Sequence, residues 1–221
     1  PKNGMTSKQT CYPQFHNSKE VKLPRTIIKW CCGPNSRLGD PKNKDPEANA
    51  IRIAEFDDAR TNEAYNKAKN AITGPNTLLW ISIPCTGGTQ LQNVNERTSA
   101  DIRKDWKFLK DLWNRLEPLI DRVHKAGGKI AFEWPEKCKY WKWKPVQDVG
   151  RYNLRFAYCN GCAMGMKVST LNPRATHDRG KFIFKPWWIA SNDEVLLTQL
   201  NKYRCTGKSM QHQHTPCLGH L

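Results

Sequence analysis

Short apolar runs alternate with longer amphipathic stretches between Thr26 and Trp134. TIIKWCC (Thr26 to Cys32), AIRIAEF (Ala50 to Phe56), TLLWISI (Thr77 to Ile83) and KIAFEW (Lys129 to Trp134) have strand length and are rich in β-branched and aromatic residues, so each predicts a strand. DDARTNEAYNKAKNAI, between the second and third, predicts a helix that TGPN stops. Ile102, Trp106, Leu109, Leu112, Trp113, Leu116, Leu119, Ile120 and Val123 recur at helical spacing and predict a long helix ended by Gly127 and Gly128. Strands and helices in alternation predict an α/β fold, a mostly parallel sheet flanked by helices.

Beyond Pro145 the pattern changes. RFAYCNGCAMGMKVST and KFIFKPWWIAS predict a C-terminal antiparallel hairpin closed by a polar loop, and NDEVLLTQLNKYR predicts a helix with Asn192 as its N-cap. The reading divides the chain into an N-terminal arm (1–24), one domain (25–204) and a Cys/His-rich tail (205–221).

Charge narrows the partners. Lys and Arg number 36 against 20 Asp and Glu, a net +16, so an anionic partner is expected, nucleic acid first and a membrane surface second. No run is apolar enough to span a bilayer, and the first residues lack a signal-peptide core. An opening on Pro1 suggests a processed product or an excised domain. The expectation is an intracellular protein, nuclear or cytoplasmic, whose nine cysteines serve as thiols or metal ligands.

In a parallel sheet, ligands sit at the carboxyl ends of the strands. Those ends are Cys32-Gly33, Glu55-Phe56, Pro84-Cys85 and Glu133-Trp134-Pro135. A glycine after the first strand lets backbone approach a nucleotide-like ligand. An acid closing the second strand can accept from both ribose hydroxyls, with Glu55 the candidate and Asp57 in reserve. SIPCTGG presents a thiol at the mouth of the same cleft, and its glycines clear space for a flat ring. A carboxylic acid on the next strand end suits attack on a heterocycle: Glu133 protonates ring nitrogen while Cys85 adds to ring carbon.

The succession IIKWCCGP, IRIAEFDDARTNEAYNKAK, LLWISIPCTGG and KIAFEWP resembles DNA cytosine 5-methyltransferases. WISIPCTGGTQLQNVNERT and the late Cys/His cluster are also similar to methyltransferase-like domains of retroelement polyproteins. The resemblance spans residues 26 to 135. It implies a Rossmann-like class I methyltransferase sheet and S-adenosylmethionine bound along Cys32, Gly33, Pro34, Asn35, Glu55, Phe56 and Pro84. It also implies Cys85 as nucleophile at cytosine and Glu133 as its acid, on a base that has left the stack. Arg155, or Arg151, in GRYNLRF would take the part of the family's paired arginines. The chain departs from the family: no large target-recognition domain follows, and the paired-arginine motif is not clearly present. A single proline precedes Cys85, Trp134-Pro135 follows the glutamate, and Glu55 and Cys85 are 30 positions apart, which leaves no room for the usual intervening strand.

Two further segments carry chemistry. Cys162, Cys205, His212 and His214 form a workable zinc quartet, with Cys159 and Cys217 as alternates, that would clamp the tail onto the antiparallel strands. In EKCKYWKWKP, Lys139, Trp141, Lys142, Trp143 and Lys144 interleave rings and charges, as a surface for nucleic acid does; the same alternation fits an edge strand with its lysines in water. The leading expectation is an S-adenosylmethionine-dependent methyltransferase acting on nucleic acid, DNA before RNA, at the 5-position of cytosine. The alternatives are a methyltransferase-like module that binds without turnover, and a zinc-stabilised interaction domain.

Overall fold

The computed structural model describes residues 25–33, 36, 38, 47–89, 97–168, 178–207 and 212–216. The predicted arm, together with Pro34, Asn35, Cys217 and His220, lies outside the described residues.

Among the described residues, eight strands and four helices follow one another: β1 (Thr26–Cys32), β2 (Asn49–Ala54), α1 (Asn62–Asn70), β3 (Thr77–Ile81), α2 (Ser99–Lys125), β4 (Lys129–Pro135), α3 (Lys144–Asp148), β5 (Arg155–Asn160), β6 (Phe182–Phe184), β7 (Pro186–Ser191), α4 (Glu194–Leu200) and β8 (His214–Pro216). The main sheet has six strands in the order β2-β1-β3-β4-β7-β5. The first four are parallel, and β7 runs antiparallel to both β4 and β5. No helix among the described residues is long and apolar enough to cross a membrane.

The predicted stripe of α2 explains how the sheet is covered. Leu109, Leu112, Trp113, Leu116, Leu119, Ile120 and Val123 are all buried, against strand residues of the same face such as Ile28, Trp30, Leu79, Ile81, Ile130 and Phe132. Each side chain of this kind contributes about 1.5–3 kcal/mol by leaving water. Thr98 and Asp101 start α2 with reciprocal hydrogen bonds of 3.2 and 3.0 Å. On the other face α4 buries Leu197 against Ala157, Cys159 and Ile189.

The C-terminal hairpin is present in part. β5 and β7 pair antiparallel as expected, but β7 sits between β4 and β5. KFIFKPWWIAS is two strands, not one. It divides at Lys185, and Pro186 opens β7 because proline has no N–H to give a ladder. β6 leaves the main sheet and pairs in parallel with β8, which ties the tail to the domain. The N-cap of α4 is Asp193, whose carboxylate accepts from Leu196 N at 3.1 Å; Asn192 instead accepts from Ile130 N at 2.8 Å, joining this loop to β4.

Candidate active site and metal cluster

The carboxyl ends of β1, β2 and β3 open onto one cavity of about 540 Å³. Cys32, Gly33, Glu55 and Pro84 line it, with Cys31, Asp58 and Arg60 beside them and Phe108 and Leu112 of α2 as its far wall. β1 bulges between Trp30 and Cys32, with Cys31 at φ 60°, and both adjacent thiol residues border the cavity. Burial pushes the Cys31 thiol up to about 12, so it is a neutral wall. Lys29 is almost fully buried in β1, and its ammonium donates to the carbonyls of Ser36, at 3.3 Å, and Leu38, tying these two residues to the strand. Burial lowers its pKa.

β2 ends in a 3-10 turn, Glu55–Asp57, whose successive side chains point about 120° apart. Glu55 therefore lines the cavity while Phe56 stands 85% exposed and does not. Asp57, the reserve acid, is committed elsewhere: its carboxylate accepts from Ala54 N at 2.9 Å and from Lys67 Nζ at 2.6 Å. Arg60 and Phe108 escaped the sequence reading. The Arg60 guanidinium sits 5.2 Å from the Phe108 ring centroid, and the signal for Phe108 is an aromatic lying off the main apolar stripe of α2.

Past β3 the chain turns sharply at Cys85, whose carbonyl accepts from Gly88 N at 2.9 Å and Thr89 N at 3.0 Å. Both glycines are sterically required. A Cβ on Gly87 would lie 2.4 Å from Tyr140 Oη, and one on Gly88 would lie 2.6 Å from Cys138 Sγ. The flat ring for which this turn clears space is the chain's own Tyr140, fully buried beneath it. Cys85 is half-buried and packs against the α2-side core.

Glu133 lies on the neighbouring strand β4, between Phe132 and Trp134, which face α2; strand alternation turns it to the α4 side. Burial raises its pKa, opposed by Lys185 and by a hydrogen bond from the Ser82 hydroxyl. Ser82 Oγ in turn accepts from Trp80 Nε1 at 2.8 Å. Cys138 is in electrostatic range of both Cys85 and Glu133, and burial pushes its own thiol up to about 12. Arg155 is not brought to this edge. It is level with Ala131 across β7, near the start of β4, and its guanidinium pairs with Glu194. Arg151 pairs with Glu117 at 3.2 Å.

The segment after β4 is neither an edge strand nor an open aromatic rim. Lys139–Lys142 form a 3-10 turn and α3 starts at Lys144. A repeat of three puts Tyr140 and Trp143 on one face, both against Trp106 at 4.8 and 6.2 Å, and Lys139 and Lys142 on another, exposed. Trp141 is half-buried and donates to Pro135 O at 3.1 Å. Trp141 and Trp143 are thus core-facing rings, while Lys139, Lys142 and Lys144 face solvent.

A second cluster lies where the two sheets meet. Cys162 comes from the turn after β5, Cys205 from the segment after α4, and His212 and His214 from the tail. One ligand atom from each lies within 4.8 Å of all the others, so the four can hold a metal ion. Cys205 Sγ is 3.6 Å from His212 Nε2 and 3.3 Å from His214 Nε2, and Gly207 N–H donates to that sulfur at 3.4 Å. His212 stacks on Phe182 and His214 leans on Phe184, so β6 holds both imidazoles. Cys159, an alternate, is buried in the α4-side core and is not a member.

No family model matches the chain, and no curated protein matches it.

Proposed function

We propose that the chain is a class I methyltransferase-type domain that binds S-adenosylmethionine in the cavity at the ends of β1, β2 and β3 and methylates nucleic acid at the 5-position of cytosine. The observation that carries this reading is convergence: Cys32, Gly33, Glu55 and Pro84, assigned to the cofactor from their strand-end positions and from the resemblance, line one cavity. Its volume, about 540 Å³, lies within the range of small-molecule sites. The exposed Glu55 carboxylate would accept from the ribose hydroxyls, and Gly33 lets backbone approach. Phe56, exposed beside Glu55, would cover the cofactor from outside. When bound, S-adenosylmethionine supplies an electrophilic methyl group. The chain's own residues do the rest. Cys85 would add to ring carbon 6 and leave again by elimination once carbon 5 has gained the methyl group and lost its proton to solvent. Glu133, turned to the α4 side while Cys85 packs on the α2 side, would have to reach the ring nitrogen past Cys138, which lies in electrostatic range of both.

An oligonucleotide carrying 5-fluorocytosine tests this chemistry. With S-adenosylmethionine present, wild-type protein should form a covalent adduct that survives denaturation, and Cys85→Ser should form none. An adduct undiminished in Cys85→Ser would refute the nucleophile.

A second reading has its own support. Arg155 and Arg151 are engaged in ion pairs away from the strand ends, and Tyr140 fills the space under the Gly87-Gly88 turn. These features favour a domain that binds cofactor and nucleic acid without turnover, for which the same trap yields no adduct although both ligands bind.

For the Cys/His cluster we propose zinc. Sulfur at about 2.3 Å and nitrogen at about 2.1 Å from one tetrahedral ion stand about 3.5 Å apart. The two Cys205–His separations, 3.6 and 3.3 Å, fit that spacing. The four ligands leave no open position, so the ion would be structural and hold the tail to the β5 turn.

A further inference from the structure

An aromatic ladder runs from beneath the Pro84-Cys85 turn to the edge of the main sheet. Tyr140 meets Trp134 at 5.7 Å, Trp134 meets Trp141 at 4.9 Å, and Trp141 meets Phe156 at 5.5 Å. Trp188 joins Phe156 and Tyr158 at 5.5 and 5.3 Å. The inner rings are core. The outer ones are not: Phe156 and Tyr158 remain 42% and 39% exposed on β5, the edge strand. Strand alternation sends them to the face opposite Ala157 and Cys159, which α4 buries. On their own face α2 packs on β3 and β4, further in. A sheet face that keeps two large rings in water beside a covered core is built for contact.

We infer that Phe156 and Tyr158, backed by Trp188, form a stacking platform for unpaired bases of a single-stranded nucleic acid. Charge selects this occupant. The chain carries +16. The Arg204 guanidinium sits 5.1 Å from the Tyr158 ring centroid, and exposed Lys142 is the chain neighbour of Trp141. Rings that present π-faces next to cations hold bases by stacking while the cations meet phosphate, without reading sequence. Continuity with the Cys85 turn gives the platform a purpose: a strand whose target base must leave the stack is unpaired nearby, and the ladder's outer end can hold that stretch. The inference rests on the nucleic-acid reading above and extends it to surface that the resemblance does not cover.

Fluorescence anisotropy with short labelled DNA, as single strand and as duplex, tests it on the full chain. Phe156→Leu/Tyr158→Leu keeps apolar surface and removes both rings. It should weaken single-strand binding about tenfold or more and leave the salt slope nearly unchanged. Arg204→Gln should instead lower that slope by about one phosphate contact. Calorimetry with S-adenosylhomocysteine should give wild-type values for both variants, which separates this claim from the cofactor reading and shows that the variants are folded. Unchanged single-strand affinity in the double variant overturns the platform. Loss of self-association with unchanged DNA binding does so too, by making the strip an interface between copies. If wild type binds no DNA at all, platform and nucleic-acid reading fall together, while the calorimetry still judges the cofactor site.

Discussion

The Ser82 hydroxyl donates to the Glu133 carboxyl while accepting a 2.8 Å hydrogen bond from the Trp80 indole. Two side chains of the β3 segment thus orient one partly buried acid on β4. Its pKa is raised above 4.5, with burial as the main cause. A carboxyl whose folded value exceeds its unfolded one binds its proton more tightly in the native state. That stabilisation is full below about 4.5 and is lost as pH rises through the folded value. Glu133→Gln should therefore match wild type in melting temperature near pH 4 and exceed it by about 2–4 °C or more at pH 8. Thermal melts across pH check this; equal melting at pH 8 would show that the carboxyl is not buried as a charge.

Metal removal should loosen the tail. Purified wild type is expected to carry one zinc per chain by native mass spectrometry, and Cys205→Ser or His214→Ala to carry none. Chelation should lower the melting temperature by several degrees, since ion binding adds to folding free energy. Metal-free wild type with unchanged melting after chelation would remove zinc from the account.

Cys31 holds φ 60° beside the cavity, a conformation that strains any side chain. Cys31→Gly relieves that strain at the loss of a half-buried thiol and should come out near neutral. Cys31→Val, branched at Cβ, should be destabilised by about 1–2 kcal/mol relative to Cys31→Gly. Urea denaturation of the two variants measures the difference; equal stabilities would mean that β1 ends without the bulge.

Gly88→Ala drives a Cβ to 2.6 Å from Cys138 Sγ and should destabilise by about 1–3 kcal/mol. Adding Cys138→Ala should recover part of that loss, because it removes the nearest atom and leaves the Tyr140 ring at 2.9 Å. A double-mutant cycle reads the coupling. Strict additivity would mean that the turn does not rest on Cys138.

The fold was legible where one pattern had one use. β1 was read at its observed bounds, and the α2 stripe gave the buried face of that helix because no competing period overlapped it. Ligand chemistry singles out Cys162, Cys205, His212 and His214 in the sequence, and the four residues meet in space. The segment from Lys137 to Lys144 was harder. A repeat of two and a 3-10 repeat of three both interleave lysines with rings over so short a run, and only packing on Trp106 and Trp134 decides between them. Arg155 could be suggested by residue type but not positioned, since register across β7 is a long-range property. Phe156 and Tyr158 sit two positions apart on β5, but that β5 is an edge strand with Trp188 behind both rings is again a long-range property.

Titration calorimetry with S-adenosylmethionine and S-adenosylhomocysteine tests the central claim most directly. Both should bind wild type at one site per chain. Glu55→Gln, still folded, should bind each about tenfold or more weakly, because hydrogen bonds to a charged acceptor are worth about 1.5–3 kcal/mol. Folded wild-type protein that gives no binding heat with either compound, or equal affinities in wild type and Glu55→Gln, would contradict the assignment of the cavity at the ends of β1, β2 and β3.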